Sequence, residues 1–337
     1  MKRFPVVAAV CLMGFRVLAG SGGDAPTRGV PSAALSANVR TQTRTDDMVE
    51  AHLRVQGRLR NFLIYVPTGI TPADAPTAHA GGAPLLLLLH GRLGTPSGMV
   101  HLADFRSIAN REGVILVYPE GVNRSWNDGR ESTPAHRQGI DDVAFIDQLI
   151  TYMTKHYPVD ARRVYVAGMS NGGFMTSTLG CALGDRIAAI AVVAASIGRQ
   201  DTCIPTIAMP VMYIQGTKDP LVPYASGKLK KDSLYSHQEA LDHWIAADDC
   251  GTRATKTEKP DSAGDGTSII RETYRNPKTG VEVVGITIQN GGHAWPGGWA
   301  YLPRAIIGVT TRNLDANEAI WAFFKKYKRT ISAFAPN

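Results

Sequence analysis

Apolar positions in the middle of this chain come in unbroken runs rather than in alternation. Leu85–Leu89, Val114–Val117, Val164–Ala167, Ile187–Ala195 and Val211–Ile214 leave almost no polar side. Such runs predict strands buried on both faces, as in a parallel sheet. Helical spacing separates them at about residues 100–112, 141–156, 174–183, 236–247 and 315–327. Two antiparallel hairpins frame this alternation. One joins 53–55 to 62–67 through Gly57-Arg58, and the other joins 269–274 to 281–288 through Asn276-Pro277-Lys278-Thr279-Gly280. Strands alternating with helices predict an α/β fold, a doubly wound and mostly parallel sheet with helices on both faces. Residues 68–83 read as a polar loop. No internal repeat is visible, so residues 46–337 are expected to form a single domain.

The apolar run that ends at Met169 feeds Gly168-Met169-Ser170-Asn171-Gly172, and a helical pattern follows at once. A Gly-x-Ser-x-Gly between a strand and a helix predicts a nucleophile elbow, with the serine on a strained turn at the sheet's carboxyl edge. A serine hydroxyl needs a base, and the base needs an acid to hold its tautomer. In this architecture they follow in the order Ser, Asp, His. Asp219 comes just after the strand at 211–216, and His293 comes after the strand at 281–289, on a glycine-flanked loop. Asp201 is the nearest rival to Asp219. The expected oxyanion donors are the backbone N–H of Asn171 and that of Arg92, in the turn His90-Gly91-Arg92-Leu93-Gly94, with Leu93 as the alternative. His90 reads as a structural residue bracing that turn. Trp126, Trp295 and Arg130 lie on loops at the same edge and are candidates for substrate binding, the alternative being loop packing. Asp141-Asp142 opens a helix and reads as a cap.

Composition adds a compartment. Lys2 and Arg3 precede a mainly apolar stretch from Phe4 to Phe15, and Val17-Leu18-Ala19 suits a cleavage site. Residues 1–19 are therefore expected to be an export signal, residues 20–45 a flexible leader rich in small and polar residues, and the protein secreted or periplasmic. The signal is too short to span a membrane, and no later stretch resembles a span. The net charge of +7 falls to +4 once residues 1–19, with three cations and no acid, are removed. The remaining cations are scattered. The clusters Lys228–Lys231 and Lys325–Arg329 read as a solvated loop and a helix end, and no nucleic-acid module accompanies them. Outside the signal lie Cys181, Cys203 and Cys250. Topology favours a Cys181–Cys203 disulfide in an oxidising compartment, the alternative being three unpaired thiols. No metal-ligand spacing or dinucleotide fingerprint is present, so neither metal nor cofactor is expected.

Seven segments together resemble a known group: His90-Gly91, Tyr118–Gly121, Ser125-Trp126-Asn127-Asp128-Gly129-Arg130, Gly139–Val143, Gly168–Gly173, Gly216–Pro220 and Gly292-His293-Ala294-Trp295-Pro296-Gly297-Gly298. The chain is similar to the secreted polyhydroxybutyrate depolymerase-like, feruloyl and acetylxylan esterases of the α/β-hydrolase fold. The resemblance covers residues 85–325, and the Ser-Trp-Asn-Asp-Gly-Arg and Gly-His-x-Trp-Pro-Gly-Gly segments are its specific parts. It implies a metal-independent serine esterase with Ser170, Asp219 and His293 as catalytic residues. Its expected partner is an ester substrate, either polysaccharide-linked or a polyester oligomer. Arg92-Leu93 departs from the small or polar residues usual after His-Gly. The sequence shows no linked binding module, so soluble oligomers are expected over crystalline polymer. A serine peptidase of the same fold and a non-catalytic surface-binding protein are the alternatives.

Overall fold

The structure, a computed structural model, describes residues 42–45, 48–70, 81–199 and 204–330. The expected export signal, most of the leader and Cys203 lie outside these residues. The chain enters the sheet through β1 (Gln42–Thr45), β2 (Met48–Val55) and β3 (Arg58–Tyr65). Gln42–Thr45 falls in the stretch read as leader, yet it pairs antiparallel with β2 as an edge strand.

Alternation follows: β4 (Ala83–Leu89), α1 (Pro96–Leu102), α2 (Arg106–Glu112), β5 (Ile115–Pro119), a single turn α3 (Pro134–Arg137), α4 (Asp142–His156), β6 (Val159–Met169), α5 (Asn171–Ala182), β7 (Ala189–Val193) and β8 (Val211–Gly216). A small hairpin, β9 (Gly227–Leu229) and β10 (Asp232–Leu234), precedes α6 (His237–Ala247). The chain finishes with β11 (Thr255–Lys259), β12 (Ser268–Arg275), β13 (Glu282–Gln289), α7 (Arg304–Ile307) and α8 (Ala316–Phe324).

The main sheet has eleven strands in the order β1-β2-β3-β5-β4-β6-β7-β8-β13-β12-β11. The six from β5 to β13 run parallel, and antiparallel strands extend both edges. Alternate residues of one strand feed two cores. Leu85, Leu87 and Leu89 pack with Phe145, Leu149, Phe174 and Trp244. Leu86 and Leu88 pack with Met99, Ile108, Ile320 and Phe324 on the other face. Hence α4, α5 and α6 cover one side and α1, α2 and α8 the other. Each leucine of β4 is completely buried, and burial of this kind contributes roughly 2 kcal/mol per side chain. This is the expected doubly wound α/β-hydrolase architecture. No described helix is long and apolar enough to cross a membrane.

Three local readings change. The helix expected over 100–112 is broken into α1 and α2, because the Asp104 carboxylate accepts the Arg106 N–H (3.0 Å) and restarts the backbone there. The lysine cluster 228–231 is not a loose loop but the tip of the β9–β10 hairpin. Strand β11, fully exposed and charged, carries no apolar signal; its lysines and glutamate suit an open sheet edge.

One buried acid makes stability depend on pH. Asp248, at the end of α6, accepts the Met209 N–H through Oδ1 (2.8 Å), while Oδ2 has no partner among the described residues. Burial pushes its carboxyl from 3.8 up to about 7. Its folded-state value lies above its unfolded value, so the folded state holds an extra proton between those limits. Stability should therefore fall as pH rises from about 4 to about 7 and level off above. Asp248→Asn should flatten that slope and leave the variant on the order of 2 kcal/mol more stable than wild type at pH 8, with little difference at pH 4. Urea unfolding at the two pH values tests this; parallel curves would refute it.

Candidate active site

The strand order places the candidate residues. The connection from β4 moves to one neighbour, β5, and the next crosses to the other, β6, so the order reverses at β4. Clefts form at the carboxyl ends of strands at such a switch. The turn His90–Gly94 leaves β4 there, and Ser170 leaves β6 beside it.

Ser170 sits between β6 and α5 with φ 56° and ψ −123°, a conformation that costs an L-residue energy, and it is half-buried. The elbow survives because neighbouring backbone can come close. A Cβ on Gly172 would meet the Leu89 carbonyl oxygen at 2.3 Å, and one on Gly91 would stand 3.3 Å from the Ser170 Cβ. The turn after β4 therefore lies directly against the serine.

Asp219 follows β8 and His293 follows β13, as the sequence reading places them. The His293 Nδ1–H donates to Asp219 Oδ2 at 2.7 Å, and both side chains are buried (2% and 0% exposed). Asp219 Oδ1 accepts two further bonds, from the N–H groups of Leu221 and Val222, both at 2.8 Å. The carboxylate is thus fixed on three sides. A proton on Nδ1 leaves Nε2 as the basic nitrogen, the form a general base needs.

Strand β13 lies three strands from β6, a span of roughly 14 Å at ordinary strand spacing. The glycine-rich loop bridges that span. Gly298 abuts the Leu102 carbonyl of α1, and Trp295 packs edge-to-face on Phe105 (6.4 Å). The loop that carries His293 therefore reaches back to α1, the helix that follows β4.

The two backbone N–H groups expected to act as oxyanion donors lie on the segments that flank Ser170. The Asn171 N–H opens α5, where the first N–H groups have no partner within the helix. In the facing turn the Leu93 N–H donates to Arg124 O (2.8 Å) and the Gly94 N–H to Gly91 O (2.9 Å). The Arg92 N–H has no acceptor among the described residues, so Leu93 drops out as the alternative donor. His90 braces the turn: Nε2 accepts the Gly121 N–H (3.0 Å), which puts the proton on Nδ1, facing Gly91 O (2.8 Å). Burial lowers its pKa to about 4, so it stays neutral at ordinary pH.

The three residues expected as candidates for substrate binding take the loop-packing alternative in the structure. Trp126 and Trp295 are completely buried, and Arg130 is 4% exposed. Trp126 Nε1–H donates to His90 O, and Trp295 Nε1–H donates to Asn317 Oδ1, each at 2.8 Å. Arg130 pairs with Asp128 (2.5 Å) and stacks over Phe174 (3.6 Å). All three are held by packing and internal bonds, and none presents a surface to a ligand.

The Ser-Trp-Asn-Asp-Gly-Arg segment instead clamps the elbow. The Asn171 side chain accepts the Trp126 N–H (2.8 Å) and donates to Trp126 O (3.1 Å) and Asp128 Oδ2 (2.6 Å). Asp142 holds the same segment from below, accepting the Asn127 N–H (2.7 Å) and pairing with buried Arg60 (2.5 Å). Burial outweighs their mutual attraction, raising the Asp142 carboxyl and lowering the Arg60 guanidinium from their usual ranges. Asp141 caps α4 as expected, accepting the Ala144 N–H (2.9 Å), but Asp142 is a structural anchor that its position in a helix start does not reveal.

Of the exposed apolar side chains on or against the loops of the candidate site, Leu93 figures in the sequence analysis as the alternative oxyanion donor, whereas Leu221, Trp299 and Ile306 do not. Leu93, Leu221, Trp299 and Ile306 are exposed by 40% or more, and each lies on a loop carrying a candidate residue or packed against one. Ile306 belongs to α7, whose Ile307 carbonyl accepts the His293 N–H (2.6 Å). Among the cysteines, Cys181 is disulfide-bonded and Cys250 is a buried free thiol.

The family model described as esterase PHB depolymerase matches residues 70–228. A protein named as an esterase, NocK, of Nocardia uniformis subsp. tsuyamanensis is 34% identical over 273 residues, covering 77% of this chain and 78% of the relative. Feruloyl esterase B of Piromyces equi is 30% identical over 248 residues, covering 70% of this chain; the chain spans 42% of that longer relative. An acetyl xylan esterase structure from Aspergillus awamori superposes with a TM-score of 0.51 at 15% identity, covering 79% of this chain and 94% of that one, a likeness of fold.

Proposed function

Because the chain belongs to the esterase PHB depolymerase family and is a carboxylic ester hydrolase, we propose that it works through Ser170 as nucleophile, His293 as base and Asp219 as the acid that orients it. Ser170 Oγ attacks the ester carbonyl carbon while His293 Nε2 takes its proton. The N–H groups of Asn171 and Arg92 hold the tetrahedral oxyanion. His293 returns the proton to the leaving alcohol oxygen, and an acyl-enzyme remains. Water, deprotonated by the same nitrogen, then attacks the acyl carbon and releases the acid and Ser170. The scheme uses only protein groups and water. The observation that carries it is the buried 2.7 Å contact of Asp219 with His293, on loops from the same sheet edge as the strained serine.

The exposed apolar side chains around the candidate site support one class of substrate over another. Relatives bear the names of feruloyl esterase, acetylxylan esterase and poly(3-hydroxybutyrate) depolymerase. The exposed Leu93, Leu221, Trp299 and Ile306 suit an aromatic or apolar acyl chain better than an acetyl group. The proposal is therefore a hydroxycinnamoyl ester of polysaccharide or a hydroxyalkanoate oligomer, hydrolysed outside the cytoplasm. A Cys181–Cys203 disulfide belongs with that location.

The test compares methyl ferulate, acetylated xylan and 3-hydroxybutyrate oligomers. Trp299→Ala should raise KM for the preferred aromatic or apolar ester by roughly tenfold, the worth of one aromatic contact of ~1.4 kcal/mol. An equal effect on the acetyl ester, or none on any substrate, would remove Trp299 and its neighbours from the acyl site.

A further inference from the structure

Four exposed cations on segments beside the candidate site, Arg92, Arg124, Arg137 and Lys230, have no carboxylate within ion-pair distance among the described residues. Arg92 is next to Gly91, which touches Ser170. Arg124 Nε–H donates to Gly94 O (3.3 Å), and Arg137 Nη1–H donates to Ser132 O (2.8 Å), on the segment that clamps the elbow.

Lys230 arrives from elsewhere in the chain. It occupies the two-residue turn of the β9–β10 hairpin with φ 59°, where glycine or asparagine would be less strained. The hairpin is tied to the loop after β7 by the bridge of Leu234 with Gly198 and by Arg199 N–H to Ser233 O (2.8 Å). On its other side Lys231 pairs with Glu131 (2.6 Å). These anchors stretch the hairpin from the β7 loop to the elbow clamp. Partial burial, and then the charges of Arg92, Arg137 and Arg130, hold the Lys230 ammonium below its usual pKa; Asp232, buried at the base of the turn, offsets part of this. Nearby Glu131 and Asp128 are already neutralised by Lys231 and Arg130.

Like charges brought together on separate loops, one of them on a strained turn, repel unless an anion joins them. We propose that Arg92, Arg137 and Lys230, with Arg124 beside them, form a carboxylate-recognition arc, so that the preferred ester carries a free carboxylate near the scissile bond. The idea rests on the esterase reading above and narrows it. The carboxylate has two possible sources, the acyl chain or a uronic acid in the alcohol part.

The experiment uses the full-length enzyme and two matched ester pairs, each differing only in charge. The acyl-side pair is p-nitrophenyl hydrogen glutarate against p-nitrophenyl methyl glutarate. The alcohol-side pair is the feruloyl ester of glucuronic acid against that of glucose. One anionic member should be favoured by about tenfold in kcat/KM at low salt, mainly through KM, and the preference should shrink several-fold by 0.5 M NaCl. Which pair shows it identifies the source. Lys230→Gln and Arg137→Gln should each cut the ratio by about threefold, and the double variant should bring it close to one. Equal rates for both members of both pairs in wild type, or a preference that ignores salt and survives the double variant, would overturn the arc. Wild type that hydrolyses none of the four esters would instead overturn the esterase mechanism, so the two failures are distinct.

Discussion

Ser170→Ala is expected to lower ester turnover by roughly four to six orders of magnitude, because neither His293 nor the oxyanion donors can act without an oxygen nucleophile. Folding should be untouched. Alanine keeps a Cβ in the same conformation, φ 56° and ψ −123°, so its stability should stay within about 0.5 kcal/mol of wild type. Ser170→Gly is the more telling partner. Glycine enters this region freely, so it should be equally inactive yet about 1 kcal/mol more stable than the alanine variant. Thermal unfolding of the three proteins, with fluorophosphonate labelling read by mass spectrometry, checks both halves. Wild-type turnover in Ser170→Ala would refute the nucleophile. Equal stability of the glycine and alanine variants would refute backbone strain at the elbow.

That strain was legible from sequence because glycines flank the serine on both sides and a strand feeds it. The apolar runs were equally clear: a strand buried on both faces has no polar position to blur it, and Leu85–Leu89 proved buried throughout. Asp219 and His293 were expected from their positions just after strands, and the structure brings their side chains within 2.7 Å of each other. Loop side chains carry no comparable signal. Trp126, Trp295 and Trp299 are all tryptophans on loops at one sheet edge, and no periodicity separates them. What separates them is what folds over each ring. His90 O and Asn317 receive the first two indoles, and the third is left 61% exposed. The β9–β10 hairpin was missed for a related reason. Its strands are three residues long, and its turn holds lysines where a glycine or asparagine would have announced it. Asp142 likewise shows a helix start in sequence, while its bond to Arg60 spans 82 positions and appears only after folding.

The clamp behind the elbow leads to the second large effect. Asp128→Ala should destabilise the protein by about 3–5 kcal/mol, because it strands the Arg130 guanidinium in a site where that side chain is 5% exposed. It should also slow catalysis, since the Asn171 amide loses its 2.6 Å acceptor and the adjacent N–H loses part of its support. The double variant Asp128→Leu with Arg130→Met separates the two effects. Apolar side chains of similar volume can replace a buried ion pair with little loss, so most of the stability should return. The Asn171 anchor does not return with it, because only the two bonds to the Trp126 backbone remain. For the double variant we expect kcat reduced by roughly 10- to 100-fold with KM little changed, the pattern of a donor displaced from a transition-state charge rather than a lost binding contact. If kcat recovers together with the melting temperature, the ion pair serves folding alone. If kcat stays low in a stable protein, Asp128 is a positioning residue that acts through Asn171. The specific part of the Ser-Trp-Asn-Asp-Gly-Arg segment then lies in holding one backbone N–H where the oxyanion forms.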